Sequence, residues 1–203
     1  MLIRMIAMCV VICASCMAAG AQIGNVGSAP AAGTIASPAK AVDAELSILE
    51  GEMMGAVKAM PADKYGFAPT AAIFVPSQKT EFATVRTFVQ QVTHVADANY
   101  FFYQTVSGLK PDVDVPALAK LTNKEDAVRA LAASFAYAHK AIATLTAANA
   151  FEVVKTNEMG LQTRATFAQF AVSHANDHYG QMVEYLRMNG IIPPASAPQP
   201  AGK

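Results

Sequence analysis

Between Val42 and Asn189 the large apolar residues recur every three or four positions rather than every second one. No other feature constrains the fold as tightly, because that period buries one stripe of a helix and leaves no strand with a consistent face. Four such stretches stand out. The first runs over Val42–Met60, with Leu46, Leu49, Met53, Met54, Val57 and Met60 in register, and Pro61 stops it. The second is expected over Lys79–Ser107, with Phe82, Val85, Val89, Val92, Val95, Phe102 and Val106 on one face, closed by Gly108 and Pro111. The third is expected from a Thr122 cap with Glu125 three residues on, through Val128, Leu131, Phe135, Ala138, Ile142 and Leu145 to Ala148. The fourth runs over Arg164–Asn189 and ends at Gly190, Pro193 and Pro194. A short extended piece is expected at Phe151–Val154. The chain is therefore expected to be all-α: a four-helix bundle with long crossover connections after helices one and two.

The segments around this bundle differ in kind. "MLIRMIAMCVVICASCMAAGAQ" has Arg4, an apolar run from Met5 and the small residues Ala19-Gly20-Ala21. That is the layout of a secretory signal peptide over residues 1–21, and it predicts export to the periplasm or beyond. A competing reading makes Cys16 a lipid-anchor site. Cys13, three residues earlier where a large aliphatic residue is expected, disfavours it. Residues 22–41, rich in Ala, Gly, Ser and Pro, read as a flexible linker. The bundle itself is assigned to 42–192, and 193–203 to a disordered tail.

All three cysteines, Cys9, Cys13 and Cys16, lie in the signal, so cleavage leaves a domain with no disulfide and no thiolate ligand. With 53% of residues hydrophobic, core burial can hold it together. Fifteen basic residues balance fifteen acidic ones with no basic run, which excludes nucleic acid as the expected partner. No segment after the signal is long and apolar enough to span a membrane.

Within the fourth stretch, "SHANDHYGQMVEYL" sets His174 and His178 one turn apart, beside Phe167, Ala171, Gln181 and Tyr185. Two imidazoles facing a bundle interior cost free energy unless something uses their lone pairs, and a divalent metal ion does so. The bland alternative is a pair of polar residues in a cleft. A third ligand has two candidates. His94 lies on a polar strip with Thr87, Gln90, Gln91, Asp97 and Ala98. His139, beside Phe135 and Ile142, reads better as a core-edge histidine satisfied by a neighbour. "HANDH" is no protease signature, since Ala175 stands where a zinc peptidase helix carries its glutamate. Asp177 lies off the histidine face and reads as a local helix partner.

The segments "MPADKYGFAP", "QQVTHVADANYFF" and "SHANDHYGQMVEYLRMNGIIPP", in this order, resemble the DinB-like superfamily of four-helix-bundle metalloenzymes, over about Val42 to Pro194. The resemblance implies a divalent metal on His94, His174 and His178. Zinc is the first expectation, with nickel, iron or manganese as alternatives, and His139 matches no ligand of the family. Relatives include thiol-dependent transferases and isomerases, so the resemblance implies an enzyme whose metal activates water or a thiol in a transferase- or hydrolase-type reaction on an unidentified small molecule; that the enzyme is exported is expected from the signal peptide alone. Gln91, Asp97, Gln181 and Tyr185 are the nearest candidates for binding substrate. The loop Pro61–Lys79, with Tyr65, Phe67 and Phe74, is the expected lid. The alternative function is a non-catalytic metal-binding or dimerisation module of the cell envelope. Under either reading the expected protein partner is a second copy, as a homodimer.

Overall fold

A computed structural model describes residues 30–73, 75, 78, 82, 84–156 and 159–198. The signal-peptide reading, the first part of the linker, Phe74, Lys79 and the last residues of the tail lie outside them. Long helices form at all four expected places: α1 Pro38–Ala59, α2 Phe88–Ser107, α3 Lys124–Ile142 and α4 Arg164–Met188. The fold is all-α, and among the described residues strand pairing amounts to a single antiparallel bridge, Val153 to Thr163.

Caps fix where each helix begins, and here the sequence expectations need correction. Ser37 accepts from the Lys40 amide and Pro38 occupies the first turn, so α1 starts four residues before Val42, inside the expected linker. The second helix starts at Phe88, not Lys79. Thr87 and Gln90 close a reciprocal capping box, and Phe82 and Val85 lie upstream of it, Phe82 being exposed. Asn123 rather than Thr122 caps α3, through the Asp126 amide. That helix stops at Ile142, six residues short of Ala148. Gly108 and Gly190, at φ +75° and +73°, take the left-handed conformation that lets the chain turn away after α2 and α4. The tail is not featureless at its start: Pro194–Ser196 forms a short 3-10 turn against α1.

Contacts between helix ends give the topology. Lys124 on α3 donates to the carbonyls of Lys58 and Met60, and His139, near the other end of α3, meets Asp43 near the start of α1. Those two helices are antiparallel. Tyr185 near the end of α4 donates to the Arg86 carbonyl just before α2, and Arg164 at the start of α4 donates to the Val106 carbonyl near the end of α2. That pair is antiparallel too. Asn99 with Ser134 and Tyr100 with Tyr137 then align α2 parallel to α3. The order is up, down, down, up. The connection 108–123 must therefore return along the full bundle, about 30 Å for a helix of this length, and its short helix Val115–Lys120 packs on α2 as it does so. The end of α1 and the start of α2, by contrast, lie at the same end of the bundle, where Tyr65 bridges Val57 and Phe88.

The core between the four helices contains Leu46, Leu49, Met53, Phe88, Leu131, Phe135, Phe167 and Met182, all essentially without solvent contact. Tyr65 is buried as well. Its hydroxyl donates to the Val57 carbonyl at 2.6 Å and its ring meets Phe88 edge-on. Phe67 packs edge-on against Tyr185. Two of the three aromatics of the expected lid, Tyr65 and Phe67, thus fasten the first connection to the end of the bundle. Among the described residues no helix is long and apolar enough to cross a membrane.

Candidate metal centre

Antiparallel packing of α2 and α4 sets position 94 against positions 174 and 178. The ring centroids are 5.2 Å apart for His94–His174, 4.6 Å for His94–His178 and 4.6 Å for His174–His178. One nitrogen from each ring lies within 4.8 Å of the others, and among the described residues this is the one group of histidines and carboxylates so arranged. Nitrogens bound at ~2.1 Å around a tetrahedral ion are about 3.4 Å apart, so modest side-chain rotation closes the set on one ion. The three histidines could hold a metal ion.

The rings are prepared as neutral donors. Burial pushes His178 down to about 4, helped by the neighbouring His174 and His94 and by Arg86, against an opposing pull from Asp177. Burial also lowers His94, with Arg86 and His174 adding to it and Asp97 opposing. His174 is lowered by burial first, then by Arg86, against Asp177. At neutral pH each ring therefore carries a lone pair and no charge. Phe102 stands edge-on to His174 at 5.2 Å and closes that side of the cluster with carbon.

Hydrogen bonds decide which nitrogen of His178 is available. Its Nδ1 lies 2.7 Å from Gln91 Oε1, Gln91 Nε2 donates to Gln181 Oε1 at 2.7 Å, and Gln181 Nε2 donates to Asp177 Oδ2 at 2.9 Å. A carboxylate only accepts, so the direction of the whole chain follows from its end. Asp177 takes the amide proton of Gln181, Gln181 presents its oxygen to Gln91, and Gln91 presents its oxygen to Nδ1–H. Nε2 of His178 is left with its lone pair, held in one orientation as metal-ligating histidines usually are. Asp177 is thus a local partner of Gln181 one turn on, as expected, and through two amides it also reaches the imidazole.

The four residues expected to bind substrate separate into different places. Asp97 lines a cleft of about 440 Å³ that His94 also reaches. Gln91 is buried and, like Gln181, has its amide engaged in the chain just described. Tyr185 faces Phe67 and Phe88, and its hydroxyl holds the Arg86 carbonyl at 2.9 Å. The cleft is walled by Thr84–Arg86 on one side and by Val115, Pro116 and Ala119 of the crossover on the other. Arg86 is the functional candidate that the sequence reading passed over. It lies just before the Thr87 cap, outside the helix, where no helical spacing could have flagged it.

The family model for the DinB superfamily matches residues 45–182, a span that contains all three histidines, Gln91, Gln181 and Arg86. The chain belongs to the DinB superfamily. No curated protein matches the chain. The three histidines that could hold a metal ion all lie within the matched span. The donor set, three neutral nitrogens without a thiolate or carboxylate, suits zinc and the later divalent transition metals.

Proposed function

We propose that this DinB-superfamily protein is an exported metal-dependent enzyme. His94, His174 and His178 would hold one divalent ion, with zinc as first choice and nickel, iron or manganese as alternatives. One observation carries the proposal: three imidazoles converge from two helices, and among the described residues no fourth ligand stands with them. Closed structural zinc sites use four protein ligands, whereas catalytic ones use three and keep a position open. An ion so held supplies Lewis-acid chemistry, lowering the pKa of water or a thiol or polarising a carbonyl. The chain's own residues would do the rest. Gln91 holds His178 in one tautomer, Phe102 excludes water from the side of His174, and the cleft at His94 admits the reactant. The reaction class this supports is transfer or hydrolysis.

The alternative, a non-catalytic envelope module with a structural ion, needs a fourth ligand. His139 was the histidine that could have supplied it, and both its nitrogens are engaged by carboxylates on α1. A homodimer belongs to the proposal too, supported by the exposed apolar side chains Phe101 and Val153, which share one shallow depression. Light scattering of the purified protein checks it. Export rests on Arg4, the apolar run and Ala19-Gly20-Ala21, and a mature N-terminus at Gln22 is its expected signature.

The test of the enzyme reading is metal analysis joined to thermal unfolding. The purified protein should carry about one ion per chain. Chelation should remove it and lower the unfolding midpoint by only a few degrees, because helix packing and not ligand bonds holds the core. A fall of tens of degrees would identify a structural ion and sink the catalytic assignment.

A further inference from the structure

Arg86 stands at the wall of the cleft that His94 reaches, in a segment fixed from two sides. Tyr185 donates to its carbonyl, and the amides of Phe88 and Val89, two and three residues on, donate to the carbonyls of Phe67 and Tyr65. Its guanidinium has no carboxylate partner among the described residues, whereas Arg129, Arg164 and Arg187 each pair with one. It is near enough to the three histidines to bear on the proton affinity of each. An exposed guanidinium on an anchored stretch of backbone, with no carboxylate partner among the described residues, is a recognition group for an oxyanion, because its fork matches two oxygens at once.

The rest of the cleft narrows the class. Val115, Pro116 and Ala119 give it an apolar wall, which suits a carbon body. Asp97 gives it one negative charge, which repels a second negative charge on the ligand. The volume, about 440 Å³, is that of a small-molecule site. We propose that the cleft binds a small carboxylate with an apolar body, its carboxylate held by Arg86 and its body against Val115 and Pro116, next to the position that His94 leaves open. This deepens the enzyme reading and rests on it for the purpose of the cleft, though not for the binding itself.

The probes are benzoate, its neutral isostere benzamide, and inorganic phosphate, followed by NMR shifts at pH 7 on the zinc-loaded protein and again on the metal-free protein. Benzoate should saturate shifts at residues of the cleft. Arg86→Gln should raise its Kd about tenfold or more, as expected for losing a charge-assisted pair, and Arg86→Lys should recover part of that. Benzamide should bind weakly to all forms. Arg86 is exposed, so its variants should fold, and their circular dichroism and metal content should match the parent. The Arg86 dependence should persist without metal, so a failure of the metal reading shows separately, as protein that takes up no ion. Equal benzoate affinity in the parent and Arg86→Gln, equal binding of benzamide, or a preference for phosphate over benzoate would each overturn the proposal.

Discussion

Two half-buried histidine sites face each other across this bundle in chemical character. At the α2–α4 seam, His94, His174 and His178 touch one another, a phenyl ring and an amide, and among the described residues no carboxylate is in hydrogen-bond contact with them. At the α1–α3 seam, His139 lies with Nδ1 2.6 Å from Asp43 and Nε2 3.0 Å from Glu50. Burial lowers the proton affinity at both sites. At the first nothing outweighs it, and His178 falls to about 4. At the second the hydrogen bonds and charges of Asp43 and Glu50 more than offset it, and His139 is raised. The same side chain is thus biased toward its neutral form in one place and toward its charged form in the other. What surrounds it decides whether a metal has anything to bind.

The largest expected effect tests that contrast directly. His94→Ala or His178→Ala should reduce bound metal from about one ion per chain to a small fraction, by elemental analysis after gel filtration, since two nitrogens do not hold a divalent ion as three do. His139→Ala should leave the metal content unchanged. A loss of metal on changing His139 would break the comparison.

The next effect is on stability in acid. The three clustered histidines have folded pKa values below the unfolded value near 6.5. Below 6.5 the unfolded chain binds protons that the folded chain refuses, so stability is present above 6.5 and is lost as pH falls toward 4. For His178 alone a shift to about 4 corresponds to on the order of 3 kcal/mol. Urea unfolding of metal-free protein between pH 7 and 4 should show this decline, and His178→Phe should flatten it. A metal-free protein equally stable at both ends would contradict the neutral assignment of the cluster.

Smaller again is the effect of Gln91→Leu, which keeps the volume but removes the oxygen that fixes His178 Nδ1–H. Metal affinity, read by competition with a chromophoric chelator, should fall roughly 10- to 100-fold. An unchanged affinity would mean that the amide chain to Asp177 orients nothing of consequence.

How much of this the sequence disclosed follows from what is local and what is not. Helix number and the pairing of His174 with His178 depend on spacing along one segment, and both could be read. Helix starts could not be read from periodicity, because Phe82 and Val85 continue the apolar pattern upstream of Thr87 and only the capping box ends the helix there. The role of Gln91 was hidden for a different reason. Its partners are 87 and 90 residues away, and no spacing rule links an amide on α2 to an imidazole on α4. Arg86 was obscured by the same error that placed it inside a helix instead of on the wall of a cleft. His139, expected as a core-edge histidine satisfied by a neighbour, has two acidic neighbours, one of them Asp43, 96 positions away.

That last histidine gives the smallest effect, with the opposite sign to the cluster. His139 has a folded pKa above its unfolded value near 6.5, because Asp43 and Glu50 favour its charged form. Its contribution is therefore complete below 6.5 and disappears as pH rises through the folded pKa, where the ring loses the proton that lets both nitrogens donate. His139 and its partners are partly solvated, with side-chain exposures of 29%, 44% and 33%, so solvent screens the pair and the contribution should be about 1 kcal/mol or less. His139→Asn, which keeps one donor but no charge, should lower stability by about that amount at pH 5.5 and by much less at pH 8.5. Urea unfolding at the two pH values measures it, on metal-free protein in a background where His178 is already Phe, so that the larger acid loss of the cluster does not mask it. A deficit that grows toward pH 8.5 would mean that His139 is neutral in the folded protein, and the two sites would then no longer differ in the way their surroundings imply.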